Sequence, residues 1–168
     1  MLVRAAILLL VLTAGASAQR RRSAVMDQHW AIVNRIPIEQ VQEMRRVAGI
    51  SDAVDGGTIA NLDIQSLTSR HQILLVESST TRCLRVHVLE RSASGLRQVW
   101  SLDEVPRNSW SGRGLPICAQ APRPPAIHAD LQGQIVIEIP TLWDEGQRSM
   151  PVAKYTYLWD GHTYVPAY

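Results

Sequence analysis

Apolar and polar positions fall into three regimes along this chain. Ala5 to Leu12 form an unbroken apolar run. Ile38, Val41, Met44, Val47 and Ala48 then recur at spacings of three and four, the period of one helical face. Pro37 in front of that pattern and Gly49 behind it are the expected start and stop of one short amphipathic helix. After the Gly56-Gly57 break the period shortens to two, which is the signature of strands. Gln72 to Glu77 encloses the compact run Ile73-Leu74-Leu75-Val76. Residues 83–90 alternate, with Leu84, Val86 and Val88 on one face and Arg85, His87 and Leu89 on the other.

Ser92-Ala93-Ser94-Gly95 is a turn, and Leu96 to Leu102 returns as a strand. Residues 104–125, rich in Pro, Gly, Ser and Arg, read as a long irregular connection. Strands resume over 126–129, 134–139 and 152–159. Asp160-Gly161 is a two-residue hairpin signal, and His162 to Val165 closes the hairpin. Two stretches resemble each other. Ile59 to Asp63 followed by Gln72 to Glu77 is matched by Ile127 to Leu131 followed by Gln134 to Glu138, and each is followed by a hairpin. The pattern suggests an imperfect internal repeat, each copy a three- or four-stranded antiparallel unit; the competing reading is that any two Ile- and Val-rich strands look alike. The expected fold is mainly β, with antiparallel sheets and one short N-terminal α-helix.

The first apolar run has its own meaning. Arg4 precedes it, and Ala16-Ser17-Ala18 follows it. A basic residue, a short apolar stretch and a small-residue site form a secretory signal peptide, expected over residues 1–18 with cleavage after Ala18. The run is too short to span a bilayer, which needs roughly 20 apolar residues. Residues 19–35 carry charge and little periodicity and read as a flexible lead-in; residues 36–168 read as a single β-rich domain. The expected location is secreted or periplasmic.

That location changes the reading of the cysteines. Cys83 and Cys118 are the only two among 168 residues. In an exported chain an even pair reads as one disulfide. Cys118 has no second Cys or His two to four residues away and Cys83 has only His87, so a metal site is not expected. The net charge of +2 gives little pull on nucleic acid, and no second segment is long enough to span a membrane. Lys154 is the only lysine among 17 basic residues, a bias in codon usage before it is a function. Arg20-Arg21-Arg22 reads as a solvated terminus, or as a contact for lipid or polyanion.

The segment Ala129-Asp130-Leu131-Gln132-Gly133-Gln134-Ile135-Val136-Ile137, with Leu158-Trp159-Asp160-Gly161-His162-Thr163-Tyr164-Val165, resembles FG-GAP/VCBS-type repeats. The resemblance covers residues 127–165 and, less clearly, 59–100. It implies β-propeller-like blades and a role in adhesion or ligand binding in secreted and cell-surface proteins. Members of that family often bind calcium in an acidic, glycine-punctuated loop. Gln132 and Gln134 stand where acidic residues would be expected, so no calcium and no other cofactor is expected. Two blades cannot close a ring.

Familiar catalytic motifs are missing: no Gly-x-Ser-x-Gly, no phosphate loop, no His-Glu-x-x-His. His128 and Asp130 are the best polar pair, since positions i and i+2 on a strand share a face. They form an incomplete set for a catalytic metal; the plainer reading makes Asp130 a turn cap before Gly133. His87 and His162 read as solvent-facing. Five tryptophans, four tyrosines and no phenylalanine favour residues enriched at recognition surfaces. Trp110, on the polar loop that also carries Arg113, reads as an anchor or as a plug on the sheet. Tyr155, Tyr157 and Tyr164 read as a binding stripe or as core. Trp100, Trp143 and Trp159 read as core or cross-strand partners.

The function expected from these residues is a non-enzymatic binding module for a protein, peptide or carbohydrate. The alternatives are a small secreted hydrolase using His128 and Asp130, or an accessory subunit of an envelope assembly completed by strand addition.

Overall fold

Two helices precede the strands in the computed structural model, which describes residues 22–51, 53–54, 57–67, 71–80, 83–105, 114–118, 124–140 and 152–167. Helix α1 covers residues 22–34 and helix α2 covers Ile38–Ala48. The signal-peptide reading of residues 1–18 lies outside the described residues. The flexible lead-in expected over 19–35 is corrected by α1. Its buried stripe is Asp27, Trp30 and Ala31, with half-buried Asn34, at helical spacing. Half of that stripe is polar, so hydropathy alone does not show it.

The helices end alike. After α2, Gly49 takes a left-handed conformation (φ 67°), and Ile50 N–H donates to Arg45 O at 2.9 Å. After α1, Arg35 takes the same conformation (φ 56°), and Ile36 N–H donates to Ala31 O at 3.1 Å. Both are Schellman caps. Only the first carries the glycine that advertises such an ending in sequence.

The chain forms two compact units whose division falls inside α2, between Gln42 and Glu43. Every strand falls in the unit that runs from Glu43 to Tyr168.

That unit is built from two sequential antiparallel meanders. In the first, β1 (Ala53–Val54), β2 (Gly57–Leu67), β3 (Gln72–Ser79), β4 (Leu84–Ser92) and β5 (Gly95–Leu102) lie side by side in chain order. A small ribbon follows, β6 (Glu104–Val105) with β7 (Leu115–Pro116). In the second meander, β8 (Ala126–Ala129), β9 (Ile135–Pro140), β10 (Val152–Trp159) and β11 (Tyr164–Pro166) do the same. The two stretches that read alike in sequence fall on β2–β3, the second and third strands of the first meander, and on β8–β9, the first and second of the other.

The inner faces share one core. Leu67, Leu74, Val76, Leu84, Val86 and Val88 come from the first sheet, and Ile135, Ile137, Ile139, Tyr157 and Tyr164 from the second. Val105 and Ile117 seal it from the ribbon side. Trp100 of β5 bridges the sheets, its ring 5.1 Å from Tyr157 and 5.4 Å from Tyr164. Tyr164 Oη donates to Gln72 Oε1 at 3.0 Å across the core.

The alternation read along β4 puts Leu84, Val86 and Val88 inward. The opposite face of the first sheet is also covered: Leu62, Leu75 and Leu89 are fully buried there. The disulfide joins Cys83 to Cys118 beside the start of β4. Leu84 N–H donates to Ile117 O at 2.7 Å, and Ile117 N–H donates to Asp103 O at 3.2 Å. Residues 115–118 are thereby strapped between the start of β4 and the residue following β5.

Asp160-Gly161 does not make a two-residue turn. Trp159 pairs with Tyr164, so the loop holds four residues. Thr163 and His162 backbone N–H groups donate to Asp160 Oδ1, both at 2.8 Å. These bonds, the Thr163 one first, hold the Asp160 carboxyl below its ordinary value.

Candidate functional site

Neighbouring strands bury Glu77 and His87 on the covered face of the first sheet, with half-buried Arg85 beside them and Ser101 and Asp103 exposed. The register sets Glu77 on β3 across from Arg85 on β4, and His87 on β4 across from Ser101 on β5. Asp103 follows Ser101 at the i+2 position. Residues directly opposite in an antiparallel pair, or two apart on a strand, share a face. Around them the same face is apolar: Leu62 lies opposite Glu77, Leu75 opposite His87, and Ile73 opposite Leu89. A polar row set in a buried apolar face costs free energy unless each group finds a partner.

One pair is found. Glu77 Oε2 and His87 Nε2 are 3.2 Å apart, with the side chains 2% and 10% exposed. The two atoms are within hydrogen-bond distance across neighbouring strands. Neither Glu77 Oε1 nor His87 Nδ1 has a hydrogen-bond partner among the described residues, although both are buried. Buried orphan atoms of this kind are rare in folded proteins and mark functional or hydrated places. His87 was expected to face solvent. It is 8% exposed, because the face it shares with Leu75 and Leu89 is covered.

Beside the pair lies a cavity of about 280 Å³, lined by Arg85, His87, Ser101, Leu102 and Asp103. Its wall holds a guanidinium donor, an imidazole, a hydroxyl that both donates and accepts, and a carboxyl group. The strap at residues 115–118 fixes one end through the Asp103 carbonyl. Ser101 stands directly across from His87, yet its hydroxyl makes no hydrogen bond to the ring.

The residues singled out from sequence are placed elsewhere. Asp130 Oδ1 accepts from the Gln132 and Gln134 N–H groups at 2.8 and 2.9 Å, and Gly133 follows with φ 73°. That is the turn cap. His128 is exposed on β8, where Val136 is its register partner. No group of three or more metal-binding side chains forms among the described residues. Tyr157 and Tyr164 are each 3% exposed and belong to the core; Tyr155 packs half-buried against it. They do not form an exposed stripe. Trp100 and Trp159 pack on those tyrosines, as cross-strand residues do. Trp110, Arg113 and Trp143 lie outside the described residues.

Sequence reasoning missed Glu77, His87, Ser101 and Asp103 as a group. A charged residue ending the apolar run 73–76 and a histidine inside an apolar alternation were the available signals. Their meeting depends on strand register, which the sequence does not print. Comparison with protein-family models, curated proteins and solved structures gave no match.

Proposed function

We propose that this is an exported, non-enzymatic binding module, and that its ligand site is the cavity beside His87. The observation that supports the reading is a cavity of about 280 Å³ lined by Arg85, His87, Ser101 and Asp103 beside the buried Glu77–His87 pair. The cavity balances Arg85 against Asp103 and adds Ser101, so it suits a neutral, hydroxyl-rich ligand better than a phosphate or an amine. Its size is at the small end of ligand sites, about right for a single sugar unit. Export is supported by the basic–apolar–small pattern of residues 1–18 and by the Cys83–Cys118 bridge. Among the described residues no helix is long and apolar enough to cross a membrane.

Catalysis is the less supported reading. A hydrolase on His128 and Asp130 would use an exposed histidine and a carboxyl whose Oδ1 already caps a turn, with no third polar partner described beside them. The test is a panel of monosaccharides and amino sugars at millimolar concentration, read by the ¹⁵N resonances of the His87 ring and by thermal shift. A sugar that moves the ring resonances and raises Tm, with both effects lost in Ser101→Trp, supports the site. A panel that leaves the ring untouched, or a ligand that still binds Ser101→Trp, removes it.

A further inference from the structure

Helix α1 has two sides, and only one of them is explained by burial. Asp27, Trp30 and Ala31 are buried at 6%, 0% and 8% exposure. The opposite side presents Val25, Ile32 and Val33, which are 65%, 69% and 54% exposed. At 100° per residue, Val25 and Ile32 lie one above the other, and exposed His29 stands between them and Val33. β-branched residues are among the weaker helix formers, because the helix restricts their rotamers. At solvent-facing positions they gain nothing from packing to offset that. Three of them on one exposed side need another environment.

The charges around this side have one sign. Arg20, Arg21 and Arg22 precede it and Arg35 follows it, with Arg22 and Arg35 exposed. Asp27 is the only acidic residue between Gln19 and Ile38, and it is buried. A helix with an apolar side, a cluster of arginines at its ends and no exposed carboxylate matches an anionic bilayer surface. There apolar side chains enter the headgroup boundary and arginines meet lipid phosphates. The geometry points to α1 as a peripheral docking helix for anionic membrane, lying on the surface rather than crossing it. Neither signal suffices alone: three short side chains bury little area, and four arginines without an apolar side are screened by salt. Together they make docking depend on both lipid charge and Val25/Ile32. This inference does not rest on the His87 cavity.

The test is co-sedimentation of the chain recovered after export from a bacterial host, its N-terminus fixed by mass spectrometry. The probes are vesicles of phosphatidylcholine alone and of phosphatidylcholine with phosphatidylglycerol. The expected result is binding to the anionic vesicles only. A fall of roughly tenfold is expected in 0.5 M NaCl and in a Val25→Gln/Ile32→Gln variant that keeps its circular dichroism, as the two-signal rule predicts. Arg21→Glu/Arg22→Glu should fall by a similar factor. Binding to neither vesicle, equal binding to both, or binding unchanged in Val25→Gln/Ile32→Gln would overturn the assignment. So would a lipid-free dimer that Val25→Gln/Ile32→Gln dissociates, since a second copy would then be what covers this side.

Discussion

A carboxyl buried in an apolar face needs a hydrogen-bond partner, and for Glu77 Oε2 the partner is the His87 ring. Removing the ring alone strands that carboxyl. His87→Ala should therefore cost about 3 kcal/mol in urea unfolding, whereas Glu77→Leu/His87→Leu should lie near the wild type, because a well-packed apolar pair replaces a buried polar pair at little cost. Equal destabilisation in the single and double variants would mean that the pair is not coupled. Asp160 is the exposed counterpart. Backbone N–H groups of Thr163 and His162 stabilise its ionised form, so its folded value lies below the ordinary 3.8. The stabilisation is complete above that ordinary value and is lost as pH falls through the lower folded one. Stability measured against pH should show the wild type's advantage over Asp160→Asn shrinking below about pH 3.8 and vanishing in stronger acid. An advantage that stays constant down to strong acid would show that Asp160 does not titrate in this range. At this scale the sequence is readable where a residue acts on its own chain neighbours. Asp130 before Gly133 and Gly49 after α2 were legible for that reason. Glu77 and His87, ten positions apart on different strands, were not.

Elements show the same division. The strand at Ala126–Ala129 and the one at Val152–Trp159 follow the sequence pattern at both ends, because alternation is local. Helix α1 was hidden for two physical reasons: its buried stripe contains Asp27 and Asn34, and its cap puts Arg35 where glycine is usual. Loop length at Asp160 was misjudged because the Asp-Gly pair is used inside a longer, side-chain-capped turn. The irregular stretch after β5 is organised by the bridge. Cys118 binds Cys83 from 35 residues away. On the chain-entropy model this closure contributes about 4 kcal/mol. Reduction, or Cys83→Ala/Cys118→Ala, should lower the urea midpoint accordingly. It should also weaken whatever binds beside Asp103, since the strap through Ile117 loses its anchor. Unchanged ligand affinity after reduction would separate the strap from the site. Edge strands bear on the assembly alternative. β5 bulges at Val99, which is skipped where Val88 and Leu89 of β4 pair with Trp100 and Gln98, and β11 carries Pro166; both features discourage a further strand. β8 has neither, but is only four residues long.

Across the whole β-rich unit, neither meander buries its inner face alone. Tyr157 and Tyr164 of the second sheet fill the same core as Val86 and Val88 of the first. Tryptophan fluorescence and far-ultraviolet circular dichroism should therefore report a single transition for the two sheets. Distinct transitions for the two probes would mean that one sheet holds without the other. The contact between Tyr164 Oη and Gln72 Oε1 spans 92 positions. It ties β3 to β11, so the core stays open until both strands are present. During synthesis the earlier strands emerge with their inner faces unpaired, and the step that locks the core waits for Tyr164.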